Sequence, residues 1–310
     1  MRVIFMGSPE YALSSLDQLL SSSHQVVAVV TQPDRPRGRG QKMTYTPVKE
    51  RALEKGIPVF QPEKINDPVF TAHLKALAPD VMVVVAYGQL LNEELLALPP
   101  KGCINVHASL LPKYRGAAPI HWAIVNGEEE TGVTTMLMDR GMDTGDMLLK
   151  RKVPIEKVDT IGSLHDKLAD IGGELLMETL AHLEDGSLTP ESQDHDEASY
   201  AALLKKEHEQ ILWSKNAVEI FNQVRGLNPW PGAYTEFAGK RLKIWESDVE
   251  DMELKEHPGL VLDVKNGKGI RVACGIGSLW LRILQPQGKR RMTGEDWARG
   301  VRLEKGSVLG

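Results

Sequence analysis

Apolar and polar positions in the first part of the chain follow two alternating periods. Short runs rich in Val and Ile predict strands at 2–6, 25–31, 81–85 and 103–107. Apolar residues spaced three and four apart predict helices between them, at 9–20, 47–54, 69–77 and 92–98. Strands that alternate with helices are typical of a doubly wound, mostly parallel sheet, so we predict an α/β fold.

The same pattern continues to about residue 186. It predicts a helix at 117–126, two strands at 132–138 and 147–153, and a long helix at 161–183. Because the run 81–85 is apolar on both faces, we expect it to be a central parallel strand.

The pattern changes in residues 188–209, where Pro190 is followed by Ser, Gln, Asp, His and Glu and then by Lys205 and Lys206, which is typical of an interdomain linker. Beyond them, a helix at 214–223 precedes short strands with glycine-bearing turns at 234–237, 241–247, 259–265, 269–274 and 278–284. Such strands favour a small β-barrel of the oligonucleotide-binding (OB) type. We therefore predict an α/β catalytic domain at 1–187, a linker at 188–209 and a β-barrel domain at 210–310.

Composition is that of an ordinary globular protein. The 310 residues are 42% hydrophobic and 25% charged, close to the averages for folded domains. The longest apolar run, 81–87, is far too short to cross a bilayer, and Glu10 and Asp17 interrupt the stretch where a secretory signal needs apolar residues. We expect a cytoplasmic monomer with no membrane partner.

Two cysteines, Cys103 and Cys274, are too few for a disulfide framework or a four-thiolate metal site, and no H-E-x-x-H motif occurs. We predict buried free thiols and no metal. The net charge of −5 disfavours a nucleic-acid partner, but residues 208–310 carry 16 Lys and Arg against 13 Asp and Glu, a net charge of +3. This asymmetry is a weak indication of a polyanionic partner for the C-terminal part.

The first strand-to-helix turn argues against the common nucleotide cofactors. It reads Gly7-Ser8-Pro9-Glu10 instead of G-x-G-x-x-G. Pro9 lacks a backbone donor and Glu10 brings negative charge, and both are unfavourable for a pyrophosphate. The G-x-x-x-x-G-K-[ST] motif is also absent from the sequence. We therefore expect neither a dinucleotide-dependent dehydrogenase nor a P-loop enzyme.

Polar residues end the predicted strand 103–107. Asn105 and His107 lie two residues apart, hence on one face, at the carboxyl end where open α/β sheets bind ligands. An ordinary hydrogen-bonded pair in the core is the alternative. Farther along, a glycine-flanked turn contains Asp139, Asp143 and Asp146. Aspartates in turns are often structural, and spacing alone does not choose among the three.

Several long motifs resemble those of formyltransferases that use 10-formyltetrahydrofolate. The segments that carry this resemblance are 105–107, 109–112, 115–120 and 139–146. Further segments, at 3–9, 31–36 and 228–231, are similar to those of family members that formylate methionyl-tRNA. The resemblance thus extends over both predicted domains. It implies transfer of a formyl group from 10-formyltetrahydrofolate, as co-substrate, to the α-amino group of initiator methionyl-tRNA.

The resemblance also implies a catalytic triad of Asn105, His107 and Asp143. In such a reaction the amine attacks the formyl carbon, and the Asn105 amide and His107 can donate hydrogen bonds to the oxygen that becomes negative. Asp143 would fix the tautomer of His107 and stabilise its protonated form. Ser109 is a rival nucleophile, but it lacks a G-x-S-x-G context, and the amine itself is the nucleophile.

Two segments are implied to hold the folate. They are the run Ser109, Leu110, Leu111 and Pro112 and the turn Tyr87, Gly88, Gln89 and Leu90. Apolar side chains with exposed backbone donors suit a flat pterin ring. Ordinary loop packing is the alternative.

Residues 34–42 contain three arginines and one lysine. Such a run is more often a solvated loop, but the resemblance implies that it inserts at the tRNA acceptor stem. Arg39 would be its central residue, with Arg37 and Lys42 nearby. Lys205, Lys206 and the β domain would add phosphate contacts. One departure from the family is Leu212, which stands where an acidic residue is common.

Other formyltransferases share much of the triad region. They act on glycinamide ribonucleotide, on formyltetrahydrofolate itself or on amino sugars. The basic loop and the C-terminal β domain favour tRNA over these acceptors. From a different class, a noncatalytic RNA-binding or folate-sensing module is the alternative, and the intact set of Asn105, His107 and Asp143 argues against it.

Overall fold

A computed structural model describes residues 1–37 and 42–310. The chain divides into two compact units. The first comprises residues 1–119, 131–154 and 165–201, and the second comprises residues 120–130, 155–164 and 202–310. The second unit is therefore assembled from three stretches of sequence. A single boundary along the chain cannot separate the two units. The predicted boundaries near residues 187 and 210 stay a prediction.

The first unit is built on a seven-stranded sheet. From one edge to the other its strands are Met147–Pro154, Glu130–Leu137, Cys103–His107, Val81–Val85, Arg2–Gly7, Gln25–Val30 and Val59–Phe60. The last five are parallel neighbours, whereas Cys103–His107 pairs antiparallel with Glu130–Leu137. Every residue of Val81–Val85 is buried, as its apolar run requires. The predicted α/β fold with a mostly parallel sheet is confirmed.

Two helices in this part of the chain begin where the sequence supplies a side-chain cap. Thr46 and Asp67 accept hydrogen bonds from the first-turn amides, and a proline follows each of them at the first helical position. The α-helices up to residue 185 are Leu13–Leu20, Pro47–Glu54, Pro68–Ala76, Glu93–Leu96, Pro119–Val125 and Ile161–Asp185. Within the described residues, no helix is both long and apolar enough to cross a membrane.

Two short strand pairs lie outside the main sheet. Arg35–Arg37 pairs antiparallel with Lys42–Thr44, and Arg115–Gly116 pairs in parallel with Tyr200–Ala201. Strands of two or three residues have no measurable periodicity, so the hydrophobic pattern does not predict them. The second pair joins the predicted linker segment to the first unit.

The second unit contains a β-sheet. Its strands run in the order Tyr234–Phe237, Lys240–Asp251, Ser278–Pro286, Gly269–Ala273 and Val261–Lys265, with Met292–Thr293 beside Ser278–Pro286. Its remaining helices are Lys206–Glu209, Ala217–Gly226 and Gly294–Val301. Among the described residues, the first and last strands of this order do not pair with each other, so the sheet does not close into a barrel. A β-rich C-terminal part is confirmed, but a closed OB-type barrel is not.

Both cysteines are buried free thiols, as the sequence predicts. Burial raises the pKa of the Cys103 thiol and of the Cys274 thiol to about 12. Since the thiolate is the reactive form, both groups stay neutral and inert at physiological pH.

We therefore expect a thiol-disulfide reagent at pH 8 to label neither cysteine of the native protein and both cysteines after unfolding in guanidinium chloride. The unfolded chain is the control, because its thiols regain an ordinary pKa. Labelling of the native protein at the rate of free cysteine would contradict the burial described above.

Candidate active site

The site is built at the carboxyl end of Cys103–His107. This strand lies between Val81–Val85 and Glu130–Leu137, with Asn105 opposite Met136 and His107 opposite Thr134. His107 is 6% exposed and Asn105 is half-buried. The polar groups on this strand therefore face a largely desolvated environment, in which hydrogen bonds are strong.

Asn105, His107 and Asp143 lie together. The Asn105 amide Nδ2 donates to Oδ1 of Asp143 at 3.4 Å, and Nδ1 of His107 lies 3.7 Å from Oδ2 of Asp143. Asp143 also accepts a 2.7 Å hydrogen bond on Oδ2 from the Gly116 amide. One carboxylate thus contacts three residues from two separate parts of the chain, the strand Cys103–His107 and Gly116.

The three aspartates of the turn cannot be told apart by their spacing in the sequence, but they have different surroundings in the structure. Asp139 accepts from the Gly141 amide at 3.0 Å and from the Thr144 hydroxyl at 2.7 Å, and so closes the turn on itself. Asp146 accepts from the Ser192 hydroxyl at 2.9 Å. Only Asp143 among them contacts Asn105 and His107.

The backbone of the turn is unusual at Asp143. Its φ is 54°, in the left-handed region that is uncommon for residues other than glycine. Gly145 follows, and an added Cβ there would collide with the carbonyl oxygen of Leu137. This combination turns the Asp143 carboxylate toward the strand end.

The tautomer of neutral His107 is set by the backbone. Nε2 lies 3.0 Å from the carbonyl oxygen of Tyr114, and because a carbonyl oxygen can only accept, Nε2 carries the hydrogen. Nδ1 then presents its lone pair toward Asp143. This corrects the expectation that Asp143 fixes the tautomer, since Tyr114 does so. Asp143 accepts from Nδ1 only when the ring is protonated.

The segment 109–112, predicted to contact folate, is held by hydrogen bonds. The Ser109 hydroxyl donates to the carbonyl oxygen of Lys113 at 2.6 Å, and Ser109 is fully buried. The Thr134 hydroxyl bridges the segment, accepting from the Leu111 amide at 3.1 Å and donating to the Ser109 carbonyl at 2.7 Å. The Leu111 side chain packs in the core, whereas Leu110 and Pro112 are half-buried. The Ser109 hydroxyl is therefore engaged within the protein, and its contact with folate stays a prediction.

The second predicted folate segment follows Val81–Val85, the parallel neighbour of the site strand. Tyr87 packs in the hydrophobic core, and burial raises its pKa to about 12. The Gln89 side chain turns away to accept from the Ile65 amide at 3.0 Å. Gly88 has a φ of 87°, and Leu90 is 60% exposed. The groups of this turn that remain open to a ligand are Leu90 and backbone atoms.

The residues predicted to bind tRNA are described in part. Arg39 lies outside the described residues, while Arg37 and Lys42 are at the facing ends of the short antiparallel pair. Lys205 and Lys206 are exposed, as is Leu212.

One polar residue near the site was not predicted. Gln193 is 6% exposed and its side-chain nitrogen donates to the Asp143 carbonyl oxygen at 2.8 Å. A lone glutamine in a polar segment has no periodic signal, so the sequence pattern assigns it to the linker. Across the part of the chain that the structure describes, no cluster of three His, Cys, Asp or Glu side chains could hold a metal ion.

Comparison with known proteins identifies the family. Residues 1–180 match the formyl transferase family, and residues 203–302 match the formyl transferase C-terminal domain. The chain is 53% identical over 310 residues to the methionyl-tRNA formyltransferase of Caldanaerobacter subterraneus subsp. tengcongensis, with both chains fully covered. It is 52% identical to the methionyl-tRNA formyltransferase of Desulforamulus reducens, covering 100% of this chain and 98% of the relative.

Solved structures share the fold at lower identity. HypX from Aquifex aeolicus, in complex with tetrahydrofolic acid, matches with a TM-score of 0.65 and 17% identity over 100% of this chain and 50% of HypX. The N-formyltransferase from Helicobacter canadensis, in complex with folinic acid and dTDP-3-aminofucose, matches with a TM-score of 0.68 and 19% identity over 92% of this chain and 98% of the other. The structural likeness concerns the fold, whereas the sequence matches are specific: the chain belongs to the formyl transferase family and, within it, to the methionyl-tRNA formyltransferases.

Proposed function

We propose that this protein transfers the formyl group of 10-formyltetrahydrofolate to the α-amino group of initiator methionyl-tRNA. The observation that carries the proposal is the convergence of Asn105, His107 and Asp143 at the end of the site strand. This arrangement occurs in a chain about half identical, over its full length, to methionyl-tRNA formyltransferases. The protein acts as a monomer in this proposal.

Asn105 stabilises the negative charge of the reaction. The neutral amine attacks the formyl carbon, and the formyl oxygen becomes an oxyanion in the tetrahedral intermediate. The Asn105 amide has two N–H groups, of which one makes a long 3.4 Å contact with Asp143. The other is available to the oxyanion, and such a donor contributes about 3 to 4 kcal/mol to the transition state.

His107 moves the proton. The attacking nitrogen must lose a proton and N10 of the folate must gain one as its bond to the formyl carbon breaks. Neutral His107 accepts that proton on Nδ1, and the resulting imidazolium lies 3.7 Å from the Asp143 carboxylate. The protonated ring then gives the proton to N10, so no external acid or base is consumed.

A folate donor agrees with the surroundings of the strand end. Leu90, the half-buried Leu110 and Pro112, and the backbone of both segments supply apolar surface beside hydrogen-bonding groups, which suits a pterin ring. Two proteins that share this fold, HypX and the Helicobacter canadensis enzyme, were solved with tetrahydrofolic acid and folinic acid. Their ligands support the donor class proposed for this chain.

A cluster of cations on the second unit supports an RNA acceptor. Near the start of Lys240–Asp251 and in the adjacent turn lie the residues of this basic face, Lys240, Arg241, Lys243, Lys289, Arg290 and Arg291. The two stretches are adjacent because Gln287 donates its amide to the Arg241 carbonyl at 3.1 Å. Among described residues no carboxylate forms an ion pair with these six side chains. Lys243 is half-buried and donates to the Pro231 carbonyl at 2.6 Å, whereas the other five are exposed and their charges are available to phosphates.

Two members of the basic face are held over aromatic rings. The Arg241 guanidinium lies 3.9 Å from the centroid of Tyr234, and that of Arg291 lies 3.8 Å from the centroid of Trp245. Stacking restricts each side chain while leaving its N–H groups free, which reduces the entropy lost on phosphate binding. We propose that this face and the loop around Arg39 contact the tRNA.

The direct test is incubation with 10-formyltetrahydrofolate and initiator methionyl-tRNA, followed by deacylation and detection of N-formylmethionine. A dTDP-amino sugar serves as a competing acceptor. Formylation of the charged tRNA alone supports the proposal. Formylation of the amino sugar in preference to the tRNA would reassign the acceptor, and turnover of neither would exclude formyl transfer.

Replacing Asn105 by Ala removes the oxyanion donor, so we expect kcat to fall about 100-fold or more while the KM for folate changes little. His107→Ala should be similarly severe, because the proton then has no carrier. Steady-state kinetics with each substrate varied in turn measures both values. If Asn105→Ala raised only the KM for folate, Asn105 would bind substrate instead of stabilising the transition state.

Arg39→Ala and Arg291→Ala should each raise the KM for charged tRNA and leave folate affinity, measured without RNA, unchanged. Each lost phosphate contact should flatten the dependence of log K on log salt concentration by about one unit. Arg299→Ala is the matched control, since its guanidinium is already paired with Asp296 at 3.1 Å. Unchanged tRNA kinetics and an unchanged salt slope in both test variants would mean that these arginines are only a solvated surface.

A further inference from the structure

We infer that Gln193 is a positioning residue that sets the place of the Asp143 carboxylate. The inference rests on the proposed function, because it assigns to Asp143 its part in formyl transfer. Gln193 belongs to the segment 191–201, which lies between the regions matched by the two family domains, 1–180 and 203–302. Neither domain match therefore includes it.

The Gln193 amide holds the backbone of the turn at two carbonyls. Its Nε2 donates to the carbonyl oxygen of Asp143 at 2.8 Å and to that of Gly145 at 2.7 Å. The first of these carbonyls belongs to the residue with the left-handed backbone, Asp143, whose φ is 54°. A non-glycine residue in this region persists only when its surroundings hold it there. The two hydrogen bonds from one buried amide provide that restraint.

Arg115 fixes the orientation of the amide. Its Nε and Nη2 donate to Oε1 of Gln193 at 3.0 and 2.7 Å, and Nη2 lies 3.2 Å from Nδ1 of His195. Arg115 is 1% exposed, and no carboxylate of the described residues forms an ion pair with it. Because a guanidinium can only donate, the oxygen of Gln193 must face Arg115 and its NH₂ group must face the turn. The buried cation also polarises the amide and strengthens both donated hydrogen bonds.

The rest of the segment supports the Asp143 carboxylate from the other side. Tyr200–Ala201 pairs with Arg115–Gly116, and the Gly116 amide binds the Asp143 carboxylate at 2.7 Å. Glu191 exchanges two backbone hydrogen bonds of 2.8 Å with Met147, just past the turn. The segment thus determines both the backbone and the side-chain position of Asp143, which in turn sets its 3.7 Å distance from His107.

Two substitutions separate positioning from stability. Gln193→Glu keeps an acceptor for Arg115 but loses both donors to the turn, and Gln193→Ala loses every contact of the amide. Gln223→Ala is the matched control, because Gln223 is also 6% exposed and donates from Nε2 to two backbone carbonyls, those of His208 at 2.8 Å and Gln210 at 3.0 Å. It lies in the second unit.

We expect both Gln193 variants to lower kcat about 10- to 100-fold, with KM for folate and for charged tRNA changed less than about twofold. The Gln223 variant also loses two hydrogen bonds donated to backbone carbonyls, so it should lose thermal stability and keep its kcat. Wild-type kcat in Gln193→Glu, or an equal loss of kcat in Gln223→Ala, would overturn the inference.

Amide hydrogen exchange without substrates provides a readout that does not depend on activity. The amides of Gly116 and Leu137 should exchange faster in both Gln193 variants, because they donate to Asp143 and Asp146 of the clamped turn. They should be unaffected in the Gln223 variant. Unchanged exchange in Gln193→Ala would overturn the inference. If the wild-type protein did not formylate tRNA, the proposed function would be overturned, but the exchange result would still show that Gln193 holds the turn.

Discussion

The Asp143 carboxylate is the group on which the rest of the site depends. It accepts the Gly116 amide at 2.7 Å and lies within 3.4 and 3.7 Å of the side chains of Asn105 and His107. The parallel sheet brings Asn105 and His107 to one end of a strand, but neither residue alone creates a site. The Asp143 carboxylate brings both side chains to one point, because it accepts from the Asn105 amide and lies beside Nδ1 of His107.

Acyl transfer to an amine needs little else from the protein. The amine is the nucleophile and the folate carries the leaving nitrogen, so one oxyanion donor and one proton carrier with its partner are sufficient. Solved sugar N-formyltransferases below 25% identity share this fold. In the proposed function, the basic face of the second unit and the arginines of segment 34–42 select the acceptor. The proposal therefore assigns chemistry and recognition to different residues.

The parts of this account that sequence predicts well depend on local signals. Strands Val81–Val85 and Cys103–His107 have the predicted bounds because short runs rich in Val and Ile lie between turn residues at both ends. Asp143 could not be chosen over Asp139 and Asp146 from spacing, since its partner Asn105 is 38 residues away and the pairing depends on tertiary structure. The resemblance to a family, not the pattern, made that choice.

Polar contacts explain most of what the pattern did not predict. The sequence pattern assigns residues 191–201 to a linker because they lack apolar periodicity. In the structure, Ser192 and Gln193 are hydrogen-bonded to the turn that contains Asp143, and Tyr200–Ala201 pairs with Arg115–Gly116. The helix Gly294–Val301 was also not predicted, although Thr293 caps it by accepting the Asp296 amide at 3.2 Å. Gly294 and Gly300 lie near the two ends of this segment. Because glycine has a low helix propensity and favours turns, the local sequence does not predict a helix there.

The most direct test of the account is the rate constant of the chemical step, measured by rapid quench under single-turnover conditions with all substrates bound. Asp143→Asn is compared with Asp139→Asn and Asp146→Asn, which remove a charge from the same turn without touching His107. The account predicts a loss of about 100-fold or more at every pH for Asp143→Asn, with folding intact, and rates within a few-fold of wild type for the two controls. A near-normal rate in Asp143→Asn, or an equal loss at Asp139 or Asp146, would contradict it.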